Sequence, residues 1–219
     1  MIVVGISSIP CREQLLQKTL KSICPQVDKV FAVLNNYKKL PNWITSMLNV
    51  MAVVSDNSLG DAGKFLFTSQ CVDCYFLSID DDFLFPRNYV SRMVAAVNKY
   101  DGIVSYHGRV YPRPFVDYRH WAANYRYSAN VFTDVPVDLL GTGCAAFHTK
   151  RLKVDISDFK YKNMADVFIS VLAHEQGIPM WVLAHRRDYL KYLFPEGDTI
   201  WKTERDTSRQ TALLKQVLV

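Results

Sequence analysis

Short apolar runs alternate with stretches of helical periodicity through most of the chain. Ile2 to Ile6 is a branched run that predicts a strand; Pro10 then stands at a helix start, with Leu15, Leu16, Leu20 and Ile23 at near-helical spacing. Val30 to Leu34, Val50 to Val54 and Tyr75 to Ile79 predict three more strands. Val90, Met93, Val94 and Val97 mark a second amphipathic helix, and Ile103 to Tyr106 returns to strand. Further on, Val167, Ile169, Val171, Leu172 and His174 predict a helix that Gly177 and Pro179 end, with Asp166 in its first turn. Met180 to Ala184 predicts a last strand. The alternation predicts an α/β domain built on an open, mostly parallel sheet with helices on both faces.

In such sheets ligands bind outside the carboxyl ends of the strands. After the first strand come Ser7, Ser8 and Arg12, after the second Asn35 and Asn36, after the third Asp56 and Asn57, and after the fourth Asp80, Asp81 and Asp82. Four polar ends in register make a cleft able to hold a nucleotide. The three adjacent carboxylates repel one another, so each raises its neighbours' proton affinity unless a cation sits among them. Hard oxygen ligands suit Mg²⁺ or Mn²⁺, which complete their shells with phosphate oxygens. Strand alternation would turn Asp80 and Asp82 to one side, where they could share an ion, and Asp81 to the other. The competing reading is a solvated acidic turn. In the loop Gly60 to Lys64 the glycines permit close backbone approach and Lys64 offers a point charge for phosphate. It is not a P-loop, because Phe65 stands where a hydroxyl residue would meet Mg²⁺; a solvated glycine turn is the alternative.

Composition sets bounds on these readings. With 219 residues, 49% of them hydrophobic, the chain can bury a substantial core as one domain spanning 1–219. A net charge of +5 neither demands nucleic acid nor excludes an anionic substrate. No leader pattern and no run of membrane-spanning length appear, so a cytoplasmic protein without a transmembrane segment is expected. Five cysteines fit a reducing compartment, and Cys71 and Cys74, a CxxC without a second pair, read as buried thiols and not as a zinc site. Between Tyr106 and Tyr127, seven aromatics are interleaved with Arg109, Arg113, Arg119 and Arg126. Such faces suit sugar rings or stacked bases, or are simply core. The modest basic excess favours sugar over nucleic acid.

The segment SSIPCREQLLQKTLKSICPQVDKVFAVLN, the GDAGK loop and FLSIDDDF together resemble the nucleotide-binding half of the GT-A glycosyltransferases, in particular inverting family 2-like enzymes, including the small glycosyltransferase domains of large algal viruses. The resemblance implies a nucleotide-sugar half at 1–100 and an acceptor and catalytic half at 101–219. It implies a donor sugar nucleotide, a UDP-sugar above all, a glycan or glycoconjugate acceptor, and Mn²⁺ or Mg²⁺. Asp80 and Asp82 would be the DXD acids, touching ribose and a metal on the diphosphate. Asp81 joins the donor-binding set, Ser8 and Arg12 would flank the base, Asn35 and Asp61 would meet base or ribose, and Lys64 the phosphates. Gly141, Thr142 and Gly143 would make room beneath the donor sugar. Asp166 would be the general base, against a plain role at the helix start. His185 is a candidate third metal ligand, against an ordinary hydrogen-bonded strand-end histidine; Arg186 and Arg187 beside it could meet diphosphate. Two other functions fit the same residues: a catalytically silent nucleotide- or glycan-binding domain, and metal-dependent phosphoryl transfer.

Overall fold

The apolar runs of the first half become four parallel strands of one large sheet, with Val50–Ser55 as its part-exposed edge. The computed structural model describes residues 1–194 and 206–218. In chain order the elements are β1 (Ile2–Ser8), α1 (Glu13–Ile23), β2 (Lys29–Asn35), α2 (Asn42–Thr45), β3 (Val50–Ser55), β4 (Tyr75–Ile79), β5 (Phe83–Leu84) and α3 (Tyr89–Tyr100). There follow β6 (Ile103–Ser105), β7 (Gly108–Val110), β8 (Ala123–Tyr125), β9 (Val135–Pro136), β10 (Leu139–Leu140), β11 (Cys144–His148), α4 (Ala165–Glu175), β12 (Met180–Val182), β13 (Lys191–Tyr192) and α5 (Ser208–Leu214). Eight strands form the main sheet in the order β3-β2-β1-β4-β11-β6-β12-β9, and small sheets β10-β7-β8 and β13-β5 flank it.

β1 to β4 pair in parallel, with Ile6 opposite Ile79 and Ser8 opposite Leu34, so their polar ends share one edge as expected. β11 was not foreseen as a strand. It runs antiparallel to both β4 and β6 and joins them. Its run Cys144 to Phe147 is short and small-sided, and the glycines before it read as a turn.

One face of the sheet is covered by α1 through Leu16, Leu20 and Ile23 and by α3 through Tyr89, Met93 and Val97, which pack with Val4, Ile6, Ala32, Leu34 and Leu77. The other face, with Val3, Phe31, Phe76 and Phe147, receives Phe65 and α4 through Ala165, Ile169 and Ala173. α5 lies against α4 in a third cluster with Tyr111 and Leu139. Tyr106 and Tyr111 are therefore core, which removes them from the expected sugar-facing aromatics. Cys71 and Cys74 are buried free thiols. Among the described residues no helix is long and apolar enough to cross a membrane.

The fully buried hydroxyl of Thr19, on the sheet side of α1, faces the carbonyl oxygens of Asp81 (2.9 Å) and Phe83 (2.8 Å), so the helix packed under β4 also pins the aspartate turn. On the other face the 3-10 turn Gly60–Phe65 presses directly on β1. A Cβ at Gly5 would lie 1.9 Å from the Lys64 carbonyl oxygen, a backbone atom that no rotamer change can move aside. Gly5→Ala is therefore expected to destabilise the fold by about 3 kcal/mol or more through overpacking, a loss that urea denaturation of the purified variant would measure.

Candidate active site

β4 ends at Ile79 and the next residues turn, so the period-two alternation expected for the three aspartates does not hold. Asp80 pairs with Lys64, its Oδ1 2.6 Å from Nζ. Asp81 accepts hydrogen bonds from Ser8 Oγ and from Arg12 Nη1, the latter at 3.0 Å, and Asp82 Oδ2 lies 3.3 Å from the same Nη1. Asp81 and Asp82 thus share a guanidinium nitrogen, and Asp80 has a cation of its own. The side chain of Asp80 is the open one, 45% exposed, whereas Asp81 and Asp82 are buried. One buried oxygen of Asp82, Oδ1, has no partner among the described residues.

The electrostatics follow from this crowding. Burial first, then the charges of Asp80 and Asp81, push the Asp82 carboxyl up to about 8 despite Arg12 and Lys64. Burial likewise raises Asp61 to about 6, with Asp166 and Asp80 adding to the rise and Lys64 opposing it. Asp81 is raised by burial against the pull of Arg12. For Lys64 burial works to lower the pKa, yet Asp80, Asp61 and Asp166 outweigh it and hold the ammonium charged.

The head of α4 brings the remaining carboxylate. Oδ1 of half-buried Asp166 accepts from the Thr142 backbone N–H (2.7 Å) and from Thr142 Oγ1 (2.6 Å), while Oδ2 has no hydrogen bond among the described residues. The acid is fastened through one oxygen to the loop before β11, and not to its own helix. Gly143 in that loop lies under Asp80: a Cβ there would meet Asp80 Oδ2 at 2.2 Å. Asp61, also expected at base or ribose, accepts the Ala165 N–H at 3.2 Å and so steadies the start of α4. Asn35 donates to the Gly60 carbonyl (3.0 Å), holding the 3-10 turn, and its buried Oδ1 has no partner among the described residues. Ser8 and Arg12 are spent on the aspartates.

His185 is corrected. Its ring nitrogens lie 2.6 Å from the Leu183 carbonyl and 3.1 Å from the Arg126 carbonyl, and its ring packs edge-on against Tyr106. Both nitrogens are thus engaged by main-chain carbonyls, which leaves neither free to ligate a metal as the ring stands. Among the described residues no three His, Cys, Asp or Glu side chains converge as a metal-holding group. Arg109, expected in the sugar-facing stretch, stacks on Tyr118 and Trp121 at 4.9 Å from each ring. Tyr127 does face the site side, edge-on to Phe83 at 4.8 Å. His107 was missed; its only sequence signal is its place just past a strand end.

No protein-family model matches the sequence, and no curated protein does. Among solved structures, S. aureus TarS 1-349 in complex with UDP-GlcNAc is similar with a TM-score of 0.62 at 16% identity, over 93% of this chain and 62% of that one. The UDP complex of the same TarS fragment gives 0.56 at 15% identity, over 84% of this chain and 58% of that one. This chain has a GT-A-like fold. It spans about three fifths of the TarS fragment's length.

In this GT-A-like chain the crowded carboxylates make stability depend on pH. Asp61 and Asp82 both titrate above the ordinary carboxylate range when folded, so between about 4 and 8 the native state holds protons that the unfolded chain has lost. Their contribution is complete below the ordinary value and is lost as pH rises through 6 and then 8. With chelator present, the melting temperature is expected to fall from pH 5 to pH 8, and Asp82→Asn to flatten the upper part of that decline. Lys64→Met, which strands three carboxylates without their cation, is expected to cost about 3–5 kcal/mol at pH 8 and less at pH 5, by urea titration at the two pH values.

Proposed function

We propose that this chain is a glycosyltransferase that moves a sugar from a nucleoside diphosphate sugar, a UDP-sugar, to a hydroxyl of a glycan or glycoconjugate, with inversion at the anomeric carbon. The observation that carries the reading is that Lys64 gathers Asp80, at the end of β4, and Asp166, at the head of α4, into one electrostatic cluster at the carboxyl edge of the sheet. A donor acid and a base candidate far apart in sequence thereby face the same space. The likeness in fold to TarS, solved with UDP and with UDP-GlcNAc, supports the donor class.

The residues fit a divalent cation. Among the described residues Asp82 offers a buried oxygen without a partner, and the charges of Asp80 and Asp81 add to burial in raising its pKa, a strain that a cation between them would relieve. Asp80 and Asp82 would hold Mn²⁺ or Mg²⁺, which supplies charge neutralisation at the departing diphosphate. The rest belongs to the chain. The acceptor oxygen attacks the anomeric carbon as the bond from that carbon to the β-phosphate oxygen breaks, and the hydroxyl proton passes to Asp166 Oδ2. Thr142 keeps Oδ1 occupied and so fixes the direction in which Oδ2 points. Lys64 is too buried to follow the ligand; it orients Asp80.

Two measurements test this. UDP is expected to raise the melting temperature far more with Mn²⁺ than with chelator, by mass action on the folded state, and Asp82→Asn to erase the difference. Equal shifts in the two conditions would remove the metal from the reading. Asp166→Asn is expected to lower turnover by the order of 10²-fold or more with UDP affinity unchanged, because a general base acts in the transition state; near-normal turnover would remove Asp166 from the mechanism.

A further inference from the structure

His107 lies two residues beyond β6. Because β11 is antiparallel to both β4 and β6, those two strands run the same way and His107 stands at the edge that carries the aspartates. Its main chain is held on both sides: the N–H donates to Ser105 Oγ at 3.2 Å, and the carbonyl accepts from the Gly141 N–H at 2.8 Å. The imidazole lies along Gly141, where a Cβ would come 3.1 Å from the ring Cγ and 3.3 Å from Cδ2. Gly143, two residues on, stands in the same relation to Asp80, and Thr142 between them grips Asp166. The strip Gly141 to Gly143 is therefore covered by the His107 ring at one end and the Asp80 carboxylate at the other.

The surroundings of the ring place it in this space. Asp166 is its strongest carboxylate neighbour and Asp80 the next, with Arg109 and Arg126 as neighbouring cations. The Tyr127 ring is 6.3 Å away. Burial first, with the arginines, lowers the His107 pKa to about 4, so at neutral pH the ring presents one N–H donor and one acceptor nitrogen. Among the described residues neither ring nitrogen has a hydrogen-bond partner.

A sugar on a diphosphate held at Asp80, receiving an acceptor whose proton leaves to Asp166, would lie beside this strip, between Asp80 and His107. Resting on the reading of the site given above, we propose that His107 hydrogen-bonds a hydroxyl of the donor's sugar ring and so helps set which sugar the site accepts. A site built to pair with a hydroxyl discriminates against sugars that place it elsewhere, because its own polar group is then left unpaired.

The test is calorimetric binding of UDP, UDP-glucose, UDP-galactose, UDP-GlcNAc and UDP-GalNAc with Mn²⁺ to the wild type and to His107→Ala, His107→Phe and His107→Asn, each checked for an unchanged melting temperature. The half-buried position makes at least one of the three expected to fold normally. Ala and Phe are expected to weaken the preferred UDP-sugar about tenfold, the worth of one such bond, and to leave UDP within twofold; Asn, which keeps a donor and an acceptor, is expected to lose less. Unchanged UDP-sugar affinity, an equal loss for UDP and UDP-sugar, or a wild type that binds UDP but distinguishes none of the four sugars overturns the role of His107. A folded wild type that binds no UDP at all overturns the reading of the site itself.

Discussion

An ammonium group buried among three carboxylates organises this molecule. Lys64 is 3% exposed, and burying an unpaired ammonium would cost several kcal/mol. The position is tenable because Asp80, Asp61 and Asp166 converge on it from the end of β4, the 3-10 turn and the head of α4. Those segments lie far apart along the chain, and one cation sets their spacing. The absence of a side chain at Gly5 is part of the same arrangement, since it lets the Lys64 main chain sink onto β1.

Arg12 does similar work one layer over, against Asp81 and Asp82. Asp61 and Asp82 are both inclined to hold protons at this edge of the sheet. Asp80, the most exposed of the three adjacent acids, is likewise held by a fixed partner, Lys64.

Much of the fold could be read from the chain because long apolar runs carry their own signal. Tyr75 to Ile79 begins and ends where the sequence places it, and the strand at Ile2 extends by only two residues to Ser8. What escaped was short. β11 is five residues of mostly small side chains after two glycines, and β7, β8 and β10 are too brief to show a period. Within the site, residue types were legible and partnerships were not. The aspartate triplet announces itself, but which acid meets which cation depends on a turn that begins one residue after the strand. Asp61 and Asn35, expected at a ligand, each also hold a main-chain partner brought near only by folding. His185 failed as a ligand because main-chain carbonyls engage both its nitrogens. His107, flanked by tyrosine and glycine, had no pattern to mark it.

The place of β11 in the sheet bears on how the chain acquires its form. β4 carries the aspartates, yet its second neighbour is made of residues 144 to 148, and β6 in turn pairs with β11 before it can join the central sheet. As the polypeptide leaves the ribosome, the N-terminal strands can assemble early, but β4 remains a bare edge of unpaired amides until some seventy further residues have followed. Pairings of such long sequence separation are slow to form and leave intermediates open to association at that edge. The interval between the synthesis of β4 and that of β11 is the one in which this edge of the sheet stands open.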